Sequence, residues 1–249
     1  MLCTTPIQGN PCRYRGNISP PLDARWHEGG WTSHFEWATA SDDVLLDVFG
    51  HALRESTPWE GELFGLYAGP QTVAEMKRTN RDKDWAFVTA LGVRMLEADD
   101  DRGWLHLFQA ETLAEMLQDR TCPPELVKRR PALELAMAGD RRTAGALNAE
   151  RKYWEELDRR RIQILQDHLR PYVSAVRKAR GSRELSLRDD HAVRVDCATR
   201  HLLTKPLKDY GVQKLIDEAR LALVGSGLIP ESALTWLPEV MLYFEWLNR

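Results

Sequence analysis

The sequence predicts an α+β protein: a small N-terminal mixed sheet followed by a mainly helical region. Three observations point there. In "WTSHFEWAT" the side chains of Trp31, Ser33, Phe35 and Trp37 fall on one face, the period of a half-buried strand. "VLLDVFGHAL", a few residues on, is a second short apolar run of strand type. Beyond residue 97 apolar residues recur at three and four almost to the last residue, which is the helical period. The expected division is therefore 1–120 for the α+β part and 121–249 for the helical region.

Composition narrows the class further. With 43% apolar and 29% charged residues among 249, the chain reads as an ordinary soluble globular protein with a sizeable core. No apolar stretch approaches the ~20 residues that span a bilayer. The start "MLCTTPIQGNPCRYRGNISPP" has no apolar segment of signal-peptide type, so a cytoplasmic protein with no membrane partner is expected. Cys3, Cys12, Cys122 and Cys197 are widely spaced, form no C-x-x-C pair, and are expected as thiols. The net charge of −3 gives no global attraction to nucleic acid. Between Arg141 and Arg183, however, twelve Lys/Arg face five Asp/Glu, a local basic region suited to a protein or RNA partner.

Residues 1 to 30 carry Pro6, Pro11, Pro20 and Pro21 among several glycines and read as loop. The two strand-like runs follow, joined by a tight turn at residues 40–43. "GELFGLYAG" is extended, and "PQTVAEMKR" opens a short helix with Pro70 near its first position. In "KRTNRDKDWAFVTALG" Thr79 and Asn80 are cap residues, Asp82 and Asp84 favour the first helical turn, and Trp85, Val88, Leu91, Gly92 and Met95 make an apolar face. "EADDDRG" ends that helix. Helices are then expected over "AETLAEMLQD", over "PPELVKRRPALELAM", and over "TAGALNAERKYWEELDRRRIQILQDHLRPYVSAVRKAR" with a bend at Pro171. "LSLRDDHAVRVDCATRHLL", "KDYGVQKLIDEARLALVGSG" and "ESALTWLPEVMLYFEWLNR" follow. The amphipathic stretch from 143 to 180 offers a partner or dimer contact.

Two features raise a functional question. Asp47 lies inside an apolar strand, so it is either an edge carboxylate facing water or a neighbour, or a cation ligand lining a cleft. Lys77, Arg81 and Lys83 surround a helix start, either as a salt-bridged cluster or as an anion site. Cys197 and His201 are four apart on a helix but His191 does not converge with them, so a buried thiol beside surface histidines is the better reading. Arg159, Arg160 and Arg161 fan around a helix among acids and read as a solvated face.

The order "LDVFG" and then "AEMKRTNRDKDWAFVTALG", with "PLDARWHEGGWTSHFEW" before them, resembles the later part of nucleotidyltransferase-like proteins, including those of bacterial toxin–antitoxin systems; the likeness covers residues 20–97. It implies a sheet of nucleotidyltransferase-like type and a nucleoside triphosphate held with Mg2+ for transfer to a protein or RNA acceptor. By the same resemblance Asp47, Asp43 and Lys83 would be catalytic, Asp47, Asp43 and Asp23 would hold the metal, and Lys77, Arg81, Gly29 and Gly30 would contact the nucleotide. The family pattern places an Asp-x-Asp pair after a Gly-Gly or Gly-Ser turn. Here Asp42 and Asp43 are adjacent and point to opposite faces of a strand, which implies a truncated or catalytically decayed member. The alternative is a non-catalytic helical scaffold or partner-binding protein.

Overall fold

The structure is a computed structural model that describes residues 12–39, 41–51, 63–64 and 66–248. It is α+β, and its residues group into two compact units: 1–51, 162–210 and 247–249 in the first, 52–161 and 211–246 in the second. The grouping interleaves along the chain and so differs from the single division at residue 120.

In the first unit, β1 (Arg13–Tyr14), β2 (Thr32–Ala38) and β3 (Asp43–Phe49) form an antiparallel sheet in that order. The register pairs Phe35 with Leu46 and His34 with Asp47. The alternation in β2 has the expected result, because Ser33 and Phe35 are buried while His34 and Glu36 take the other face. Between the first two strands lies the short helix α1 (Ala24–His27).

The sheet meets helices from later in the chain through β1, where the Tyr14 ring stacks on His191. Residues from 162 onward of α7 (Thr143–Arg180), then α8 (Leu187–His201) and α9 (Pro206–Tyr210), complete the unit. Trp26, Trp31, Tyr172, Val176, Cys197, Ala198 and Leu202 form its core. Both tryptophans satisfy their indole N–H on helix-end carbonyls, Trp26 on Leu202 at 3.1 Å and Trp31 on Leu203 at 2.8 Å. Arg194 is fully buried there. It donates to the carbonyls of Ser19 and Gly16 at 2.7 and 2.6 Å, pairs with Asp190, and lies over the Tyr14 ring. These contacts, with the Tyr172 hydroxyl on Ser19 O, tie the Pro-rich segment to α7 and α8. The segment has no helical or strand period and is ordered by these bonds.

The second unit is built from α2 (Pro70–Met76), α3 (Asp82–Glu97), α4 (Ala110–Asp119), α5 (Pro124–Arg129), α6 (Ala132–Met137), residues 143–161 of α7, and α10 (Val212–Gly225). "GELFGLYAG" gives a minimal ladder, β4 (Leu63–Phe64) with β5 (Tyr67–Ala68). Pro70 stands at the start of α2 as expected. "PPELVKRRPALELAM" is two helices, because Pro131 has no N–H to continue the first and forces Arg130 out of helical geometry, φ −134° and ψ 86°. "KDYGVQ…" is likewise split, by Gly211 at φ +94°. "ESALTWLPEVMLYFEWLNR" forms two 3-10 turns, Glu231–Trp236 and Met241–Asn248, with Pro238 between them. The long helix α7 continues through Pro171, which stands exposed on it.

One element was not legible. "DRGWLH" is a 3-10 turn, Asp101–His106, that drives Trp104 and His106 into the core. Gly103 packs backbone to backbone on Gly92 of α3, where a Cβ would lie 2.4 Å from the Gly92 carbonyl. The turn supplies Trp104 and Leu105, and the next residue Leu107, to a core completed by Leu113, Leu126, Leu133 and Leu147.

His106 is fully buried and its pKa is held well below the ordinary value, first by desolvation and then by Arg78 and Arg130. A histidine with a depressed folded pKa leaves stability intact above the unfolded value of about 6.5 and costs stability as pH falls below it, because only the unfolded chain takes the proton. Unfolding free energy is therefore expected to drop between pH 7 and 5, with His106 contributing up to about 1.4 kcal/mol per pH unit. Urea titrations of the protein and of His106→Gln across that window check this; the variant's slope should be shallower, and equal slopes would refute the assignment.

Candidate functional site

The cross-strand register explains why a carboxylate is tolerated in β3. His34 and Asp47 stand directly opposite each other, on the face away from Ser33 and Phe35. Asp47 Oδ1 lies 2.6 Å from His34 Nδ1, and Arg15 Nη2 lies 3.4 Å from the same oxygen and 3.2 Å from the ring nitrogen. The Asp47 side chain is 50% exposed. It is thus the edge carboxylate facing water and a neighbour, an arrangement in which a cross-strand side-chain contact supports the pairing.

The other candidate carboxylates of this unit stand elsewhere. Asp43 pairs with Ala38 across the sheet and shares the exposed face with Asp47, but four residues of extended chain separate them by about 13 Å. Two carboxylates that far apart cannot share one ion. Asp23 caps α1 by accepting from Arg25 N at 3.0 Å and is gripped by the Arg25 guanidinium at 2.9 and 2.7 Å. That grip lowers its pKa. The donor set implied for Mg2+ therefore does not fit a shared ion, and among the described residues no group of three or more His, Cys, Asp or Glu converges.

Gly29 and Gly30 form the turn after α1, with Gly30 at φ +91°. At Gly29 an added Cβ would lie 1.6 Å from the carbonyl oxygen of Thr204. Its missing side chain is occupied by the chain's own backbone.

In the second unit, "KRTNRDKDW" is a corner organised by two buried side chains of opposite charge. Asp84 is 5% exposed. It accepts from the Thr79 hydroxyl at 2.7 Å and pairs with Arg81 at 2.7 Å and Lys77 at 3.8 Å. Arg78 is 2% exposed and points inward, donating to Leu105 O and sitting 3.1 Å from His106 Nδ1. Its guanidinium carbon lies 4.8 Å over the Trp154 ring and 5.3 Å over Tyr243.

The expected capping is thereby revised. Arg81 holds the N-cap position of α3 with no side-chain cap bond, since Thr79 is turned to Asp84 and Asn80 N donates to Asp158 of α7 at 3.1 Å. Lys77 and Arg81 belong to the salt-bridged cluster, while Lys83 is exposed on the first turn. Arg78 was the residue that sequence reasoning missed. Its partners come from Leu105, Trp154 and Tyr243, too distant in the chain for periodicity to show.

The remaining metal suggestion separates too. Cys197 is buried with its thiol pKa raised by desolvation, His201 is exposed, and His191 takes the Tyr14 hydroxyl at 2.8 Å. Comparison with protein-family models, curated proteins and solved structures finds no match.

Proposed function

We propose that this chain is a nucleotidyltransferase-like protein that acts by binding a partner and not by transferring a nucleotidyl group. The observation that supports the reading is the state of the strand carboxylate: Asp47 is engaged by His34 and Arg15, with Asp43 about 13 Å along the same strand. In-line transfer needs carboxylates that hold metal ions against both the attacking and the leaving oxygens. An ion-paired carboxylate on an open sheet face serves strand pairing instead.

The test is direct. The protein is incubated with Mg2+ or Mn2+ and each α-labelled nucleoside triphosphate, with total RNA and bulk protein as acceptors, alongside Asp47→Asn. No label transfer and no metal-dependent thermal shift are expected. The substitution should cost less than about 1 kcal/mol of stability, as for other half-exposed pairs. Metal-dependent transfer that disappears in Asp47→Asn would overturn the reading in favour of an active transferase.

A further inference from the structure

We propose that the second half of α7 docks an acidic amphipathic helix of another protein, in a groove whose apolar floor is completed by Ile18. The groove holds about 390 Å³ and is lined by Ile18, Leu169 and Val173, with Arg170 and Arg177 at its rim. It deepens the partner-binding reading above by naming the partner's chemistry, and it is tested separately from the carboxylates.

Ile18 carries the argument. It is 54% exposed, yet the residues on either side of it are fixed. Asn17 accepts from Arg180 at 3.0 Å, and Ser19 O accepts from the Tyr172 hydroxyl and from Arg194, each at 2.7 Å. An exposed isoleucine is thus held against α7 by bonds to α7 and α8, beside the partly buried Leu169 and Val173. A floor placed in this way rewards a leucine or isoleucine laid across it, and does so without the ordering cost of a mobile loop.

The rim specifies the sign. Arg170 and Arg177 are seven residues apart on one face of α7, about 10.5 Å along the axis. Among the described residues Arg170 has only the exposed Asp167, at 3.3 Å. Arg177 is exposed and has no acidic partner among the described residues, whereas Arg180 and Arg194 are both tied to Asp190. Two carboxylates two turns apart on a partner helix match that spacing, with the intervening apolar side chains over Ile18, Leu169 and Val173. A phosphate backbone would gain from the arginines but nothing from the floor.

The probe is a fluorescein-labelled amphipathic peptide of about 15 residues, helix-stabilised, with Glu two turns apart flanking leucines. A second peptide has Lys in place of Glu. Anisotropy titrations use the full chain, Ile18→Asp, and the double variant Arg170→Glu/Arg177→Glu. All substituted side chains are exposed or at the groove rim, and circular dichroism controls for folding. Binding of the acidic peptide is expected, weakened at least about tenfold by the double reversal and by Ile18→Asp, with the Lys peptide preferred by the reversed protein. No binding, or binding indifferent to these changes, overturns the proposal. So does an RNA oligonucleotide that binds with the same arginine dependence but without Ile18, which would assign the rim to phosphates. Self-association lost in Ile18→Asp would overturn it in favour of a second copy of the chain.

Discussion

Replacing Arg78 by methionine is expected to lower the unfolding free energy by about 3–5 kcal/mol, the largest single-residue effect in the "KRTNRDKDW" corner. The methionine fills most of the volume, so the loss is chiefly polar. The Leu105 carbonyl and His106 Nδ1 lose their shared donor. The buried Glu75 and Glu150 lose a cation whose field they share. Trp154 and Tyr243 lose the cation over their rings. Arg78→Lys should recover only part of the loss, because an ammonium cannot span the same acceptors in the plane between two rings. Denaturant titrations followed by tryptophan fluorescence measure this. A cost below about 1 kcal/mol for Arg78→Met, as for a solvent-exposed cation, would refute the buried placement.

Gly29→Ala is expected to destabilise the first unit by about 3 kcal/mol or more, as severe overpacking does. The Cβ would lie 1.6 Å from Thr204 O and 2.6 Å from Thr204 C, both backbone atoms that no rotamer change can move. The turn must therefore shift, and it sits between Trp26 and Trp31, whose indoles are pinned to Leu202 and Leu203. At Gly30 the φ of +91° by itself disfavours a side chain, so Gly30→Ala should cost at least about 1–2 kcal/mol. Thermal melts with near-ultraviolet circular dichroism separate the two. A nucleotide-contacting turn would predict a different pattern, in which both substitutions weaken ligand binding and leave the melting temperature nearly unchanged.

What the sequence revealed followed from local rules. Strand alternation in residues 31–38, Pro70 at a helix start, and the length of α7 all arise from the residues themselves and their immediate neighbours. Pro131 and Gly211 were legible in principle as helix breaks, yet the apolar period on either side outweighed them. The candidate site behaved differently. The sequence showed that Asp47 needed a partner but not that the register would provide His34. It showed six charges around Thr79 and Asn80, and nothing local distinguished Arg78, which goes inward, from Arg81, which stays near the surface. Such assignments depend on groups more than twenty-five residues away, as the Arg78 contacts with the Leu105 carbonyl and His106 Nδ1 illustrate.

The interleaving of the two units sets an order of events on the ribosome. The first unit joins residues 1–51 to 162–210, and the Trp26 to Leu202 bond closes a span of 176 residues. At synthesis rates of about 5–20 residues per second, Tyr14, Trp26 and Trp31 beside the β1–β3 sheet wait for several seconds before the α7 and α8 residues they pack on emerge. The segment made during that interval, 52–161, belongs to the second unit, but α10 and the last turns come after residue 210. Neither unit is complete until translation is nearly finished, so slowed elongation lengthens the exposure of the nascent sheet and raises its demand for chaperones.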